Sequence, residues 1–177
     1  QQEIDAYKGE ACFFRAYAYN MLATLYGGVP LVTEPVTQAK TDFVRAQLSD
    51  VNNLIVQDLT FAVDHLPDIN QAKEARVNKS AARQLLAEVY LRTNQPSKAE
   101  TLCTDIIESG NFSLIKERYG DVSKPGDPFS DMFRVGKQRR SQGNKEVIWI
   151  LEQENPTDVP NGSTGYPQQR RIWGAGY

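Results

Sequence analysis

Three aromatic residues and two arginines crowd the last stretch of this 177-residue sequence. Tyr166, Trp173 and Tyr177 alternate with Gln168, Gln169, Arg170 and Arg171 among loop-forming Gly and Pro. Flat rings stack on the apolar faces of sugars, and amides and guanidinium groups donate hydrogen bonds to hydroxyls. Aromatics carried on loops are a common form of binding site. Tyr166, Arg170, Trp173 and Tyr177 are therefore the candidate ligand contacts. The same rings would also serve to pack onto a helical layer beneath them, and the sequence leaves both roles open.

Reaction chemistry finds less to work with. His65 is the only histidine and falls near the end of a helical stretch, where it reads as a surface residue. Cys12 and Cys103 each sit in an apolar helical pattern and read as buried free thiols. No zinc set and no nucleophile, base and acid arrangement emerges. Gly27-Gly28, Asn161-Gly162-Ser163 and Gly174-Ala175-Gly176 lack the strand before and helix after that a phosphate loop needs. Glu152 and Glu154 alternate beside a strand-like run, the pattern of a solvated edge rather than of opposed glycosidase acids. The sequence thus offers no catalytic residue, metal ligand or cofactor site. Asn-x-Ser sequons at Asn78, Asn111 and Asn161 are too short a pattern to carry weight.

The elements that would hold the aromatic stretch are helical. Ala11, Phe14, Ala18, Leu22 and Leu25 repeat at helical spacing, with Phe13, Tyr17 and Met21 in a neighbouring stripe. The spacing predicts a helix over 4–26, apolar on so wide an arc that it is buried between neighbours. Gly27-Gly28 stops it, and Val29-Pro30-Leu31-Val32 is then extended. After a polar loop over 33–47, Val51, Leu54, Ile55, Leu59, Ala62 and Leu66 predict a second helix over 49–66, capped by Ser49 or Asp50. A third helix over 79–93, capped by Asn78, and a fourth over 97–109 follow, joined at Asn94-Gln95-Pro96. Leu86-Ala87, then Tyr90, then Ala99 reproduce the offsets of a tetratricopeptide repeat. In that pattern small residues let two helices approach and the aromatic fills the groove beside them. One hairpin leaves an outer face exposed, so the first two helices would stack on it. Asn111 to Leu114 and Glu146 to Leu151 read as short strands. The reading is a mainly α chain: tetratricopeptide-like hairpins over 1–114, then a loop-rich segment with short strands over 115–177. Both ends look cut, so that segment would continue into a missing carboxy-terminal half.

Composition agrees with a globular protein, at 40% hydrophobic, 10% aromatic and 24% charged residues. Twenty Lys and Arg against 22 Asp and Glu give a net charge of −2, mixed along the chain. No basic field exists to hold a phosphate backbone, which argues against nucleic acid as a partner. No apolar run approaches the roughly 20 residues that span a bilayer.

Four segments together resemble the SusD/RagB family. Glu10-Ala11, Phe13-Phe14, Arg15-Ala16-Tyr17 and Gly27-Gly28-Val29-Pro30-Leu31 resemble its first signature. Arg76 to Leu91, Lys98 to Leu114 and Asn144 to Leu151 resemble the segments that follow, in the same order. The resemblance implies an outer-membrane lipoprotein of Bacteroidetes-type bacteria, built on tetratricopeptide-like helical pairs, facing outward and lipid-anchored in the full-length parent. It implies a SusC-type TonB-dependent transporter as partner, and glycan, or in some members peptide, held for import without cleavage. Arg15, Tyr17, Gly27, Gly28, Pro30, Ala87, Tyr90 and Ala99 read as structural signature residues, not ligand contacts. The alternative from another class is a protein-interaction module that binds partner peptides in a concave helical face. The two differ in where ligand binds: loops after residue 151, or the helical groove.

Overall fold

The computed structural model describes residues 1–73, 76–134 and 136–151. Helix α1 (Gln2–Tyr26) places Glu3 and Asp5 in its first turn, at the positive end of the helix dipole. It stops at Gly27, whose φ of 71° lies in the left-handed region that favours glycine. Gly28 is needed for a different reason. A Cβ there would collide with the carbonyl oxygen of Ala46, where the chain returns to the neck of the 27–47 loop. Ala46 N donates to Val29 O across that neck at 3.1 Å, and Arg45 Nε donates to Gly28 O at 2.7 Å.

Helix α2 (Leu48–His65) packs along α1, α3 (Lys79–Arg92) packs on α2, and α4 (Pro96–Glu108) packs on α3. The core lies between the first three. Val51, Ile55, Leu59 and Ala62 of α2 are fully buried at successive helical turns, and Val77, Ala82, Leu86 and Val89 meet them from the α3 side. Neither Ser49 nor Asp50 caps α2. Its N-cap is Gln47, which makes no side-chain capping bond, and Asp50 sits in the first turn instead. Asn78 does cap α3, its Oδ1 accepting from Ser80 N at 2.9 Å and Ala81 N at 3.1 Å.

The inward face of α1 is not the one expected. Gly9, Phe13, Ala16, Tyr19 and Ala23 are buried, whereas Phe14, Met21 and Leu25 are 46%, 52% and 69% exposed. Small residues decide which arc turns inward. Gly9, Ala16 and Ala23 let α2 and Leu66 come close, and a Cβ on Gly9 would already sit 3.4 Å from Leu66 Cγ. The larger apolar side chains are left on the outer arc, so among the described residues α1 is covered on one side only.

The hairpin of α3 and α4 turns at Asn94, the one non-glycine described residue with positive φ, at 59°. Leu86, Ala87 and Ala99 are buried at its seam. Tyr90 is only half-buried, with Lys98 Nζ 5.2 Å from its ring centroid, so the repeat's aromatic closes the seam rather than filling the core. Tyr90→Ala is therefore expected to cost about 1–3 kcal/mol, less than a fully buried ring. Chemical denaturation measures it, and no loss at all would contradict the role of Tyr90 in the seam.

The described residues between 109 and 151 are mostly irregular, with a single-turn helix α5 (Pro128–Asp131) and a 3-10 turn (Arg140–Gln142). The expected short strands do not form among the described residues. Residues 111–115 and 145–147 run side by side, yet one backbone bond joins them, Ser113 N to Lys145 O at 3.2 Å. Side chains make the other links: Ile115 N donates to Glu146 Oε2, and Arg140 Nη2 donates to Asn111 O. Ile148 and Trp149, though consecutive, both pack against the core, which a strand's two-residue alternation forbids.

Candidate functional site

The 144–151 segment is pinned to the helices at two places. Asn78, while capping α3 with its oxygen, donates Nδ2 to Ile148 O at 2.9 Å. Trp149 enters an aromatic group on α1, edge-on to Phe13 at 5.4 Å and near Phe14 at 6.0 Å and Tyr17 at 6.4 Å. Asn144 is buried and orders the start of the segment, accepting from Glu146 N and Val147 N and donating to Gln138 O.

This docking creates a cleft of about 200 Å³ between the α2–α3 connection and the 140–150 segment. Ile69, Ala72, Ile148, Trp149 and Ile150 form its apolar part, and Lys73, Arg76, Asn78, Arg140 and Ser141 its polar part. Arg76 pairs with Glu10 through both carboxylate oxygens, Nε to Oε1 at 2.7 Å, and that pairing holds its guanidinium strongly in the charged form. A second, more open bowl of about 540 Å³ lies over residues 31–43, where Lys40 Nζ stands 5.2 Å from the Phe43 ring centroid.

Two buried carboxylates act as structural ties. Asp58, 3% exposed on α2, accepts both arms of Arg15 from α1, Nε to Oδ2 and Nη2 to Oδ1, each at 2.7 Å. That bidentate bond raises the guanidinium pKa further. Beside it the Cys12 thiol is half-buried, not buried, and burial followed by the Asp58 charge pushes its pKa up. Asp131, fully buried, accepts from Arg118 Nε at 2.6 Å, Gly120 N at 3.0 Å and Tyr119 N at 3.2 Å. The Arg118 guanidinium also donates to the carbonyls of Asp121 and Gly126, filling the centre of the 118–127 loop as a bound cation would.

The Arg118 hydrogen bond holds the Asp131 carboxyl below the ordinary carboxylate range, with the backbone N–H groups adding to it against burial. A depressed folded value means its stabilisation is full above the unfolded value of about 3.9 and is lost as pH falls through the folded one. Amide protection factors over residues 115–134, corrected for intrinsic exchange, are therefore expected to fall on acidification below about pH 4. Asp131→Asn should give fast exchange there already at neutral pH. Slow exchange in that variant would contradict the tie.

The proposed contacts Tyr166, Arg170, Trp173 and Tyr177 lie outside the described residues, as do Glu152 and Glu154. Of the signature residues, Arg15 reaches Asp58, Tyr17 joins the aromatic group, and Pro30 O accepts from Tyr19 OH at 3.3 Å. His65 is exposed and stacks near Phe61 at 4.2 Å. Among the described residues, no cluster of His, Cys, Asp and Glu is placed to hold a metal, and no helix is long and apolar enough to cross a membrane. The sequence reading missed the cleft, Asp58 and Asp131. Asp58 had a signal, since it falls on the same helical face as Ile55, Leu59 and Ala62, where a carboxylate needs a partner. The cationic cleft had none, because Arg140 comes to Lys73 and Arg76 from 67 and 64 positions along the chain.

The model of SusD-like proteins described as starch-binding and associating with the outer membrane matches residues 1–91. SusD-like protein P38 of Formosa agariphila is 30% identical over 114 residues, 63% of this chain and 22% of that protein. The crystal structure of a SusD-like protein from Bacteroides fragilis superposes with a TM-score of 0.70 at 22% identity, over 88% of this chain and 29% of that one. A laminarin-binding SusD-like protein superposes at 0.61 with 27% identity, over 67% of this chain and 27% of that one. The chain thus spans about a quarter of the length of these relatives. With more than half of its residues matched by the family model, the chain belongs to the SusD-like family.

Proposed function

We propose that the chain is part of a nutrient-binding protein of the bacterial outer surface, lipid-anchored in the full-length parent, which binds glycan without cleaving it. It passes the glycan to a TonB-dependent transporter of the SusC type. The observation that carries this reading is the family match over residues 1–91, to a model described as starch-binding and outer-membrane-associated. A relative described as laminarin-binding, 27% identical, supports glycan as the ligand. The outer arc of α1, where Met21 and Leu25 are exposed among the described residues, supports docking of the helical layer on a larger body. Binding is non-covalent and uses no cofactor: ring stacking and polar contacts on a largely preformed site.

Trp173 is proposed as a stacking contact on the loops beyond residue 151. Trp173→Ala in the intact protein is expected to weaken glycan binding by about 2 kcal/mol or more, with Tm nearly unchanged. A large fall in Tm with intact binding would make it a packing residue. The partnership is tested with an antibody to residues 155–177 on detergent-extracted source membranes. The expected capture is a lipidated chain together with a large β-barrel identified by mass spectrometry as a TonB-dependent transporter. A soluble chain without a barrel would favour the interaction-module reading.

A further inference from the structure

We propose that the cleft between the α2–α3 connection and the 140–150 segment is an anion-accepting subsite for one acidic sugar residue, a uronate or a sulfate ester. The proposal rests on the glycan-binding reading and gives it a ligand class.

Its charge is the first argument. Lys73, Arg76 and Arg140 line the cleft, and no Asp or Glu stands among the described lining residues. Glu10 offsets Arg76, so these three positive charges less one negative leave +2, opposite in sign to the net charge of −2 on the whole chain. A concave site with low-dielectric walls focuses such a field. The start of α3 adds to it. Asn78, the N-cap of this 14-residue helix, is part of the lining, so the positive end of the helix dipole faces the cleft. The N–H groups of Ser80 and Ala81 are already taken by Asn78 Oδ1, so the helix contributes field and not hydrogen bonds.

The cations divide the work. Arg76 is held by Glu10, and Arg140 donates to the carbonyls of Asn111 and Lys145. These two are fixed in place by protein partners, and each guanidinium has five N–H donors in all. Lys73 makes no side-chain hydrogen bond or ion pair with any described residue. It is the donor left for an incoming anion.

Shape is the third argument. At about 200 Å³ the cleft is slightly larger than the engineered cavity of about 150 Å³ that holds a benzene ring. It takes one six-membered ring, not a length of polymer. Ile69 from one wall and Ile148 and Trp149 from the other give the cleft apolar surface beside its three cations. That arrangement suits a sugar ring with an apolar face and a charged substituent, whereas a flexible acidic peptide would gain little from the apolar surface.

The test is calorimetric titration of the intact protein with trigalacturonate, its methyl ester, a sulfated galacto-oligosaccharide, its desulfated form, a gluco-oligosaccharide and tetra-aspartate. At least one anionic sugar is expected to bind about 10-fold or more tighter than its uncharged counterpart, and to weaken as salt rises. Lys73→Glu should abolish that preference and Lys73→Arg should keep it, with Tm unchanged in both. Lys73 is exposed, so neither variant threatens folding. The subsite is overturned if both anionic sugars bind no better than their neutral forms, if Lys73→Glu leaves the preference intact, or if tetra-aspartate binds as tightly. Neutral binding without anionic preference overturns the subsite alone and leaves the glycan reading standing. No binding of any oligosaccharide overturns both.

Discussion

Phe13→Ala is expected to destabilise the protein by about 3–5 kcal/mol, the cost of truncating a fully buried aromatic ring. Phe13 is 2% exposed at the meeting point of α1, the core and the 144–151 segment. Its ring is edge-on to Trp149 at an interplanar angle of 85°, and to Phe14 at 84°. Contacts of this geometry add to simple area burial. The variant should therefore do more than lower the global midpoint in urea. It should loosen Trp149 and speed amide exchange over 144–151, the wall of the cationic cleft. A loss below about 1 kcal/mol, or unchanged exchange in that segment, would mean that Phe13 does not dock it.

Arg15→Ala is the second large effect, expected at about 3 kcal/mol, because it leaves the Asp58 carboxylate buried without its partner. The Arg15 side chain is about one-third exposed and Asp58 only 4%, so the penalty arises mainly on the carboxylate side. Removing both charges should cost less than removing one. Arg15→Met with Asp58→Leu is expected to recover most of the loss, since apolar residues of similar size often replace a buried pair without penalty. A double variant as unstable as Arg15→Ala would show that the guanidinium acts through packing or through its long contact with Thr33 O, and not through Asp58.

Much of the helical architecture is legible in the sequence. Periodic apolar residues, the Gly27-Gly28 stop, Asn78 as a cap and Pro96 at a helix start are local signals, and they place α1 to α4 within two residues. What escaped was decided by packing between elements. On α1 two apolar stripes compete: Phe14 and Leu25 carry the bulk, whereas closeness to α2 selects Gly9, Ala16 and Ala23. Residues 146–151 have strand-like composition, but without a paired neighbour Ile148 and Trp149 both turn to the core. The N-cap of α2 is Gln47 and not Ser49, because Gln47 O already accepts from Asp50 N and Val51 N directly after the loop neck at Ala46. The tie between Arg15 and Asp58 spans 43 positions, and nothing local to either residue names the other.

These local signals also explain why the family was recognisable in so short a stretch. The signature residues are those that a close-packed helical layer needs: a small residue at Gly28 where the loop returns, and Arg15 to neutralise a buried acid. They establish a scaffold. The ligand chemistry is proposed for residues that the scaffold carries at its edges, Lys73 in the cleft and Trp173 beyond residue 151.

The central claim, that the protein binds glycan and does not cut it, is tested most directly by one titration with product analysis. The intact protein is titrated with laminarin and with a panel of neutral and acidic oligosaccharides, and each mixture is then chromatographed after prolonged incubation. Saturable binding of at least one glycan, recovered at its original length, is the predicted result. Shortened products, or no binding to any glycan alongside binding of peptides by the helical face, would contradict it.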